Sequence, residues 1–183
     1  MNYALSIKNL TKKYHKSNLL ALDSVNLNIK KGSFFGLLGP NGAGKSTLIN
    51  IISSTISKTS GEINICGINL DKKPKEAKLK IGIVPQELVI DPFFTVFETL
   101  EIYAGYYGIK PASRKTSEII TSLGLEDKKN NRTRSLSGGM KRRLLVAKSL
   151  VHNPEVLILD EPTAGVDVEL RDQLWKYIKK INQ

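Results

Sequence analysis

Cysteine occurs once in these 183 residues, at Cys66, and histidine only twice, at His15 and His152. A single thiol excludes an internal disulfide, and none of the Cys/His spacings that hold structural zinc is present. Within "EINICG", Cys66 therefore reads as a small buried hydrophobe in a strand. No apolar run approaches the roughly 20 residues that cross a bilayer, and the opening "MNYALSIKNLTKKY" lacks the basic, apolar, small-residue order of a secretion signal. The expectation is a cytoplasmic chain. Internal repeats and low-complexity linkers are missing too, as is the "NKxD" base-reading motif of GTPases.

What is present suits one globular domain, with 40% hydrophobic and 25% charged residues. The net charge of +11, from 28 Lys and Arg against 17 Asp and Glu, favours anionic partners in general. Its distribution argues against a nucleic-acid groove: lysine pairs begin at 12, 30, 72, 128 and 179, with no aromatic-interleaved basic stripe. No nucleic acid is expected as a partner, and the lysines read as a solvated surface.

Along the chain, "LSIKNL" and "SVNLNIKKG" alternate with period two, Val25, Leu27 and Ile29 against Asn26 and Asn28, and predict half-exposed strands. "SFFGLLG" (33–39) predicts a short apolar strand, followed by a glycine loop and a helix from about Lys45. A turn at Ser60 precedes the strand "EINICG", and "IGIVPQ" (81–86) predicts a buried strand broken by Pro85. Residues 95–107 and 114–124 carry helical spacing, separated by "GIKPAS", and "EDKKNNRTRS" is a polar loop. "SLSGGMKRRLLVAKSL" (135–150) predicts a basic amphipathic helix. "NPEVLILDEP" then reads as a turn and a fully buried strand ending in two carboxylates, and a last helix runs from about Val168. The fold class is α/β, with an N-terminal antiparallel β subdomain and a helical subdomain over about 90–150.

The loop "GPNGAGKST" (39–47) matches the P-loop pattern in full. Gly39, Gly42 and Gly44 let the backbone turn and aim N–H groups inward, with Pro40, Asn41 and Ala43 completing the wrap. Lys45 reaches the β and γ phosphates, and Ser46 offers a hydroxyl to Mg²⁺. Asp160, ending "VLILD", can hold Mg²⁺ through water, while Glu161 can orient or deprotonate an attacking water. Ser137, Gly138 and Gly139 precede a helix, and such a corner can bind an anion or simply cap the helix.

"GPNGAGKST", "LSGGM" (136–140), "VLILDEPT" and "AGVD" (164–167), in this order, resemble the ATP-binding cassette (ABC) ATPases over essentially the whole chain. The resemblance implies a P-loop NTPase core, with ATP and Mg²⁺ as ligands. It also implies head-to-tail pairing with a second cassette, identical or not, so that Ser137, Gly138 and Gly139 hold the γ phosphate bound by the partner. Tyr14 matches the adenine-stacking aromatic, and Thr47 reaches the α phosphate. Gln86 matches the glutamine that approaches Mg²⁺ and the attacking water and reports on the membrane partner. Asp167 matches the carboxylate that crosses between cassettes, and is also compatible with a helix N-cap. "LTKKY" and "IGIVPQE", added to these motifs, look most like the ABC-2 or multidrug exporters. The resemblance thus implies an ATPase on the inner face of the cell membrane, powering export through a separate multi-spanning subunit.

Two features depart from the pattern. Met140 stands where glutamine is commoner, which removes an amide but neither the serine nor the glycines. The family's histidine, on the strand after the last helix, has no counterpart up to Gln183, and neither His15 nor His152 lies where the motif requires it. The expectation is a C-terminally incomplete cassette spanning 1–183 that keeps its nucleotide loops but hydrolyses ATP poorly by itself. A non-transport ABC protein acting on ribosomes or DNA, and an inactive truncated cassette, stay open as alternatives.

Overall fold

The computed structural model describes residues 2–14 and 19–160. The chain divides into two bodies, one ending at Ile81 and the other beginning at Gly82.

The first body is built on a four-stranded antiparallel sheet of order β2-β1-β3-β4, formed by β1 (Tyr3–Lys13), β2 (Leu20–Lys30), β3 (Ser60–Ile65) and β4 (Ile68–Asn69). Period-two patterning does what it predicts: Val25, Leu27 and Ile29 are half-buried and Asn26 and Asn28 exposed, while Ile7, Leu10, Ile63 and Ile65 are sealed in the core. The register of β1 on β2 shifts between Ile7 and Leu10. Asn9 takes a left-handed φ of 46° there, and its N–H donates to the Asn26 side chain at 2.9 Å.

That irregularity corrects the expected turn at Ser60, which is the first residue of β3. Gly61 has φ +97°, and a Cβ on it would lie 2.5 Å from the Asn9 carbonyl oxygen, so glycine serves close strand crossing here. Cys66 is not in a strand either. Its φ of 50° and the 82° of Gly67 make a two-residue turn from β3 into β4, the pattern of a type I′ hairpin.

Helix α1 (Lys45–Ile52) buries Leu48, Ile51 and Ile52, and a short α2 (Pro74–Leu79) carries proline at its start. The predicted strand over 33–39 does not form. Residues 33–40 are irregular and exposed, Leu38 at 92%. A strand exists through its ladder, and among the described residues none pairs with this segment, so apolar character alone does not extend it.

The second body starts within β5 (Ile81–Val84), which pairs with β6 (Val156–Leu159) in a two-stranded sheet. The Asp160 N–H donates to the Val84 carbonyl at 2.9 Å, bringing the two C-terminal strand ends together. All four residues of β6 are half-buried, not fully buried as the apolar run predicts. With β5 its one paired neighbour among the described residues, the strand is covered incompletely.

Helices α3 (Val96–Tyr106), α4 (Thr116–Ser122) and α5 (Gly138–Leu150) enclose the core of this body, with Val96, Leu100, Ile120, Leu125, Leu144 and Val146 sealed from solvent. The start of α3 is fixed by a reciprocal capping box. The Glu98 N–H donates to the Thr95 hydroxyl at 3.1 Å, and the Thr95 N–H to the Glu98 carboxylate at 2.8 Å. The polar stretch 126–135 is tied down: Thr133 is buried, its hydroxyl donates to the Asp91 carbonyl, and Arg132 bridges to Thr95. Between α3 and α4, Glu101 accepts from Arg114 at 2.6 Å and from the Thr116 hydroxyl. Burial raises the Glu101 pKa, but the hydrogen bonds from Thr116 and Arg114 and the nearby guanidinium outweigh it and hold the carboxyl below the ordinary glutamate value. The last helix, from Val168, lies outside the described residues.

Leu100→Ala is expected to cost about 2–5 kcal/mol in denaturant unfolding, whereas Tyr106→Ala at the end of the same helix, where the ring is 79% exposed, changes stability by less than about 0.5 kcal/mol. Because the folded-state pKa of Glu101 is lowered, its contribution is full above the unfolded glutamate value and is lost as pH falls through the folded one. The stability gap between the unsubstituted protein and Glu101→Gln should therefore be widest near neutrality and close on acidification. A gap that stays constant from pH 7 to pH 3 would contradict that assignment.

Candidate functional site

The candidate residues divide between the two bodies. In the first, the turn from Pro40 to Ala43, closed by an Ala43 N–H to Pro40 carbonyl bond of 3.2 Å, leads into α1. Gly42 and Gly44 have φ of +82° and +88°. At Gly44 a Cβ would meet the Ala21 carbonyl oxygen at 2.5 Å and the Leu22 side chain at 2.8 Å, so both the backbone angle and the approach of β2 demand glycine. Gly39 is tight against Ala43, with 3.3 Å between its notional Cβ and the alanine methyl. The loop from Gly39 to Gly42 is exposed, Asn41 included.

No side chain caps α1, and no acidic residue occupies its first turn. Among the described residues no protein acceptor engages the N–H groups of Lys45, Ser46 or Thr47. The Lys45 ammonium turns back onto the loop and donates to the Gly39 and Pro40 carbonyls at 2.7 and 2.8 Å. The result is a helix start with bare donors, a cation at its edge and two hydroxyls beside it, which is the chemistry of a phosphate site. Tyr14 follows the end of β1 and its N–H donates to the Leu19 carbonyl. That is the end of the β1–β2 pair where Ala21 abuts Gly44, and the ring is 37% exposed with the Lys12 ammonium 4.9 Å from its centroid.

In the second body, Gln86 lies two residues past β5, exposed, and Asp160 one residue past β6. The Val84 to Asp160 hydrogen bond brings these two positions to the same edge of the strand pair. Within this body, the amide of Gln86 and the carboxylate of Asp160 carry hard oxygen donors of the kind magnesium takes. Glu161 and Asp167 lie outside the described residues.

Ser137 caps α5, its hydroxyl accepting from the Met140 N–H at 3.3 Å, with Gly138 opening the helix. Gly138 lacks a positive φ, and a Cβ there would meet nothing within 4 Å. Nothing among the described residues around it explains the glycine.

The basic helix corrects a further expectation, since its cations are not all on a solvated face. Arg142 is 3% exposed and its Nη1 donates to the Pro85 and Gln86 carbonyls at 2.7 and 2.9 Å. Arg143 donates to the Leu123 and Gly124 carbonyls at 3.0 and 2.8 Å, and burial lowers its pKa. Lys148 reaches the Val89 carbonyl at 3.4 Å and sits 4.2 Å from the centroid of the Tyr103 ring. Arg142 is the residue that motif reading missed. The signal was its spacing: 142, 145, 146 and 149 follow i, i+3, i+4, i+7, which places an arginine on the buried stripe.

Compared with known proteins, the sequence matches the ABC transporter family over residues 22–164. It is 39% identical to the linearmycin resistance ATP-binding protein LnrL of Bacillus subtilis over 98% of this chain and 58% of that protein. It is 35% identical to the Nod factor export ATP-binding protein I of Cupriavidus pinatubonensis, over 97% and 54%. The chain thus spans between half and two thirds of the length of these curated relatives. Among solved structures, a dimeric ATP-binding cassette in a post-hydrolysis state with ADP and Pi superposes with a TM-score of 0.86 at 32% identity, covering 98% of this chain and 83% of that one. CbiO1 of Clostridium perfringens, part of the ABC transporter complex cbiONQ, gives 0.84 at 31% identity, over 100% and 74%. The glycine loop at α1, the capped corner at Ser137 and the paired strand ends at Gln86 and Asp160 accordingly sit in a shared α/β P-loop fold, and the chain belongs to the ABC transporter family of ATP-binding cassettes.

Proposed function

We propose that this chain is an ATP-binding and ATP-hydrolysing cassette that powers export through a separate membrane subunit. The observation that carries the reading is the start of α1, where Gly44 is sterically obligatory and, among the described residues, three successive N–H groups beside Lys45 find no acceptor. ATP fits that charge and shape. The triphosphate would take the N–H donors of residues 42–47, Lys45 would exchange its own-loop carbonyls for the β and γ phosphates, and Tyr14 would stack the adenine. Mg²⁺, held by Ser46, Gln86 and Asp160, would neutralise charge on the phosphates. Glu161 would take the proton from the attacking water, and Asp167 would cross to the second cassette.

Gly138 supports a partner at the other corner. A glycine that no neighbour demands, in a helix whose first turn it weakens, is explained by an object approaching from outside the chain. The γ phosphate on a second cassette, met by Ser137, Gly138 and Gly139, is such an object, and it makes closure of the pair depend on ATP. The relatives named for resistance and for export support the direction of transport.

No helix among the described residues is long and apolar enough to cross a membrane. The segment directly after Gln86 exposes Leu88, Val89, Phe93 and Phe94, with Phe93 at 69%. Its backbone is held by Asp91, which accepts from the Phe93 N–H at 2.9 Å. Such a fixed apolar patch suits docking of the membrane subunit, which would position the chain on the inner face of the membrane.

Lys45→Ala should abolish binding of a fluorescent ATP analogue to the isolated chain, while Ser137→Ala should leave that binding nearly intact and disrupt ATP-driven dimerisation in sedimentation; equal loss of binding in both would contradict the division of labour. Gly138→Ala should fold with stability unchanged or raised by up to about 1 kcal/mol, keep single-chain nucleotide binding, and lose dimer closure. A Gly138→Ala chain that closes normally with ATP would remove the partner phosphate from that corner.

A further inference from the structure

The carbonyls of the segment that carries Gln86 are engaged one after another. Val84 accepts from the Asp160 N–H, Pro85 and Gln86 both accept from the Arg142 guanidinium, and Val89 accepts from Lys148. Three of these four carbonyls are thus bound by α5, the helix whose first turn is capped by Ser137. Pro85 ends the β5 ladder, and the chain beyond it has side chains exposed from Pro85 to Val89. Its path is set from behind, by a buried cation.

From this we infer that Arg142 is a positioning residue that makes the Gln86 loop and the Ser137–Gly139 corner move as one piece. The inference rests on the reading of those two sites given above. In that reading Gln86 faces the nucleotide of its own chain and Ser137 faces that of the partner. One Nη1 atom, five residues into the helix from Ser137, bridges the two adjacent carbonyls on which the Gln86 backbone hangs. Any displacement of α5 driven by the partner's γ phosphate is carried to Gln86 through charge-assisted hydrogen bonds from a buried cation, Arg142 being only 3% exposed. Arginine suits the role because its planar, permanently charged group presents paired N–H donors at a fixed angle.

The test uses three variants of the full chain: Arg142→Met, Arg142→Lys, and Arg143→Met as the control. Arg143 lies next along α5 but holds the Leu123 and Gly124 carbonyls at the end of α4. Hydrogen exchange is read at the amides of residues 86–91, together with ATP-analogue affinity and the kcat and KM of ATP hydrolysis. Arg142→Met should speed exchange at 86–91 by about tenfold or more and lower kcat by about tenfold with KM and analogue affinity within about twofold. Arg142→Lys should recover most of both losses, and Arg143→Met should leave exchange at 86–91 unchanged. Protection and kcat both retained in Arg142→Met would overturn the inference, as would loss of both to the same degree in Arg143→Met. Should Arg142→Met fail to fold, an Arg142→Lys chain with native loop protection supports the assignment, and one with protection as low as that of denatured chain overturns it. Failure of the functional reading shows separately, as an unsubstituted chain that does not bind the ATP analogue while the exchange pattern still follows residue 142.

Discussion

Three cations of α5 bind backbone carbonyls, and the arrangement of the second body depends on that. Arg142 holds the loop after β5, Arg143 holds the end of α4, and Lys148 reaches the Val89 carbonyl further along the first of these segments. Each loop has left regular structure and carries carbonyls that would otherwise need water. A hydrogen bond from a charged donor contributes about 1.5–3 kcal/mol where a neutral one contributes about 1. A helix with cations placed this way can gather irregular segments around an apolar core beside a sheet of only two described strands. The core residues Leu144, Leu145 and Val146 lie between those cations in sequence, so burial of the apolar stripe and capture of the loops are one event.

The first body is organised by the opposite device, removal of side chain. Gly44 and Gly61 sit where backbone comes within 2.5 Å of a notional Cβ, on the Ala21 and Asn9 carbonyls respectively. Gly61 lets β3 pass the irregularity in β1, and Gly44 lets the start of α1 press against β2. The same approach leaves the helix's first N–H groups facing outward with no carboxylate or cap to occupy them. The phosphate site proposed here would follow from close packing, because β2 comes so close to Gly44 that no capping side chain can stand there. Lys45 meanwhile satisfies itself on the Gly39 and Pro40 carbonyls, an internal partner that a phosphate bound as proposed would displace.

Much of this was legible in the residues. Alternation located β1 and β2, the proline at 85 marked the end of β5, and the glycine spacing of 39–44 announced the turn into α1. What was not legible depended on neighbours distant in sequence. The apolar run 33–39 reads as a strand by composition, yet a strand needs a paired edge, and no described residue offers one. Cys66 reads as a strand residue because its neighbours alternate, but a two-residue hairpin turn requires left-handed backbone and takes Cys66 with Gly67. The basic helix misleads for the same reason. Charge predicts solvent exposure, and only the loop carbonyls, 19 to 59 residues away along the chain, turn Arg142, Arg143 and Lys148 inward.

Gly138 differs from the glycines that the fold itself requires. Gly44 and Gly61 are explained within the chain, since a methyl group at either would collide with backbone. Gly138 has helical-side geometry, open space where a methyl would go, and a position where alanine favours the helix. Among the described residues, Ser137 and Gly138 form a helix start that is capped once, with no acid in its first turn to occupy the remaining donors. The inward cations of α5 are explained by the loop carbonyls they bind, whereas among the described residues no packing neighbour explains Gly138. A residue that folding does not ask for, at the end of the helix whose cations hold the Gln86 loop, lies where an outside phosphate would have the greatest mechanical effect on the rest of the body.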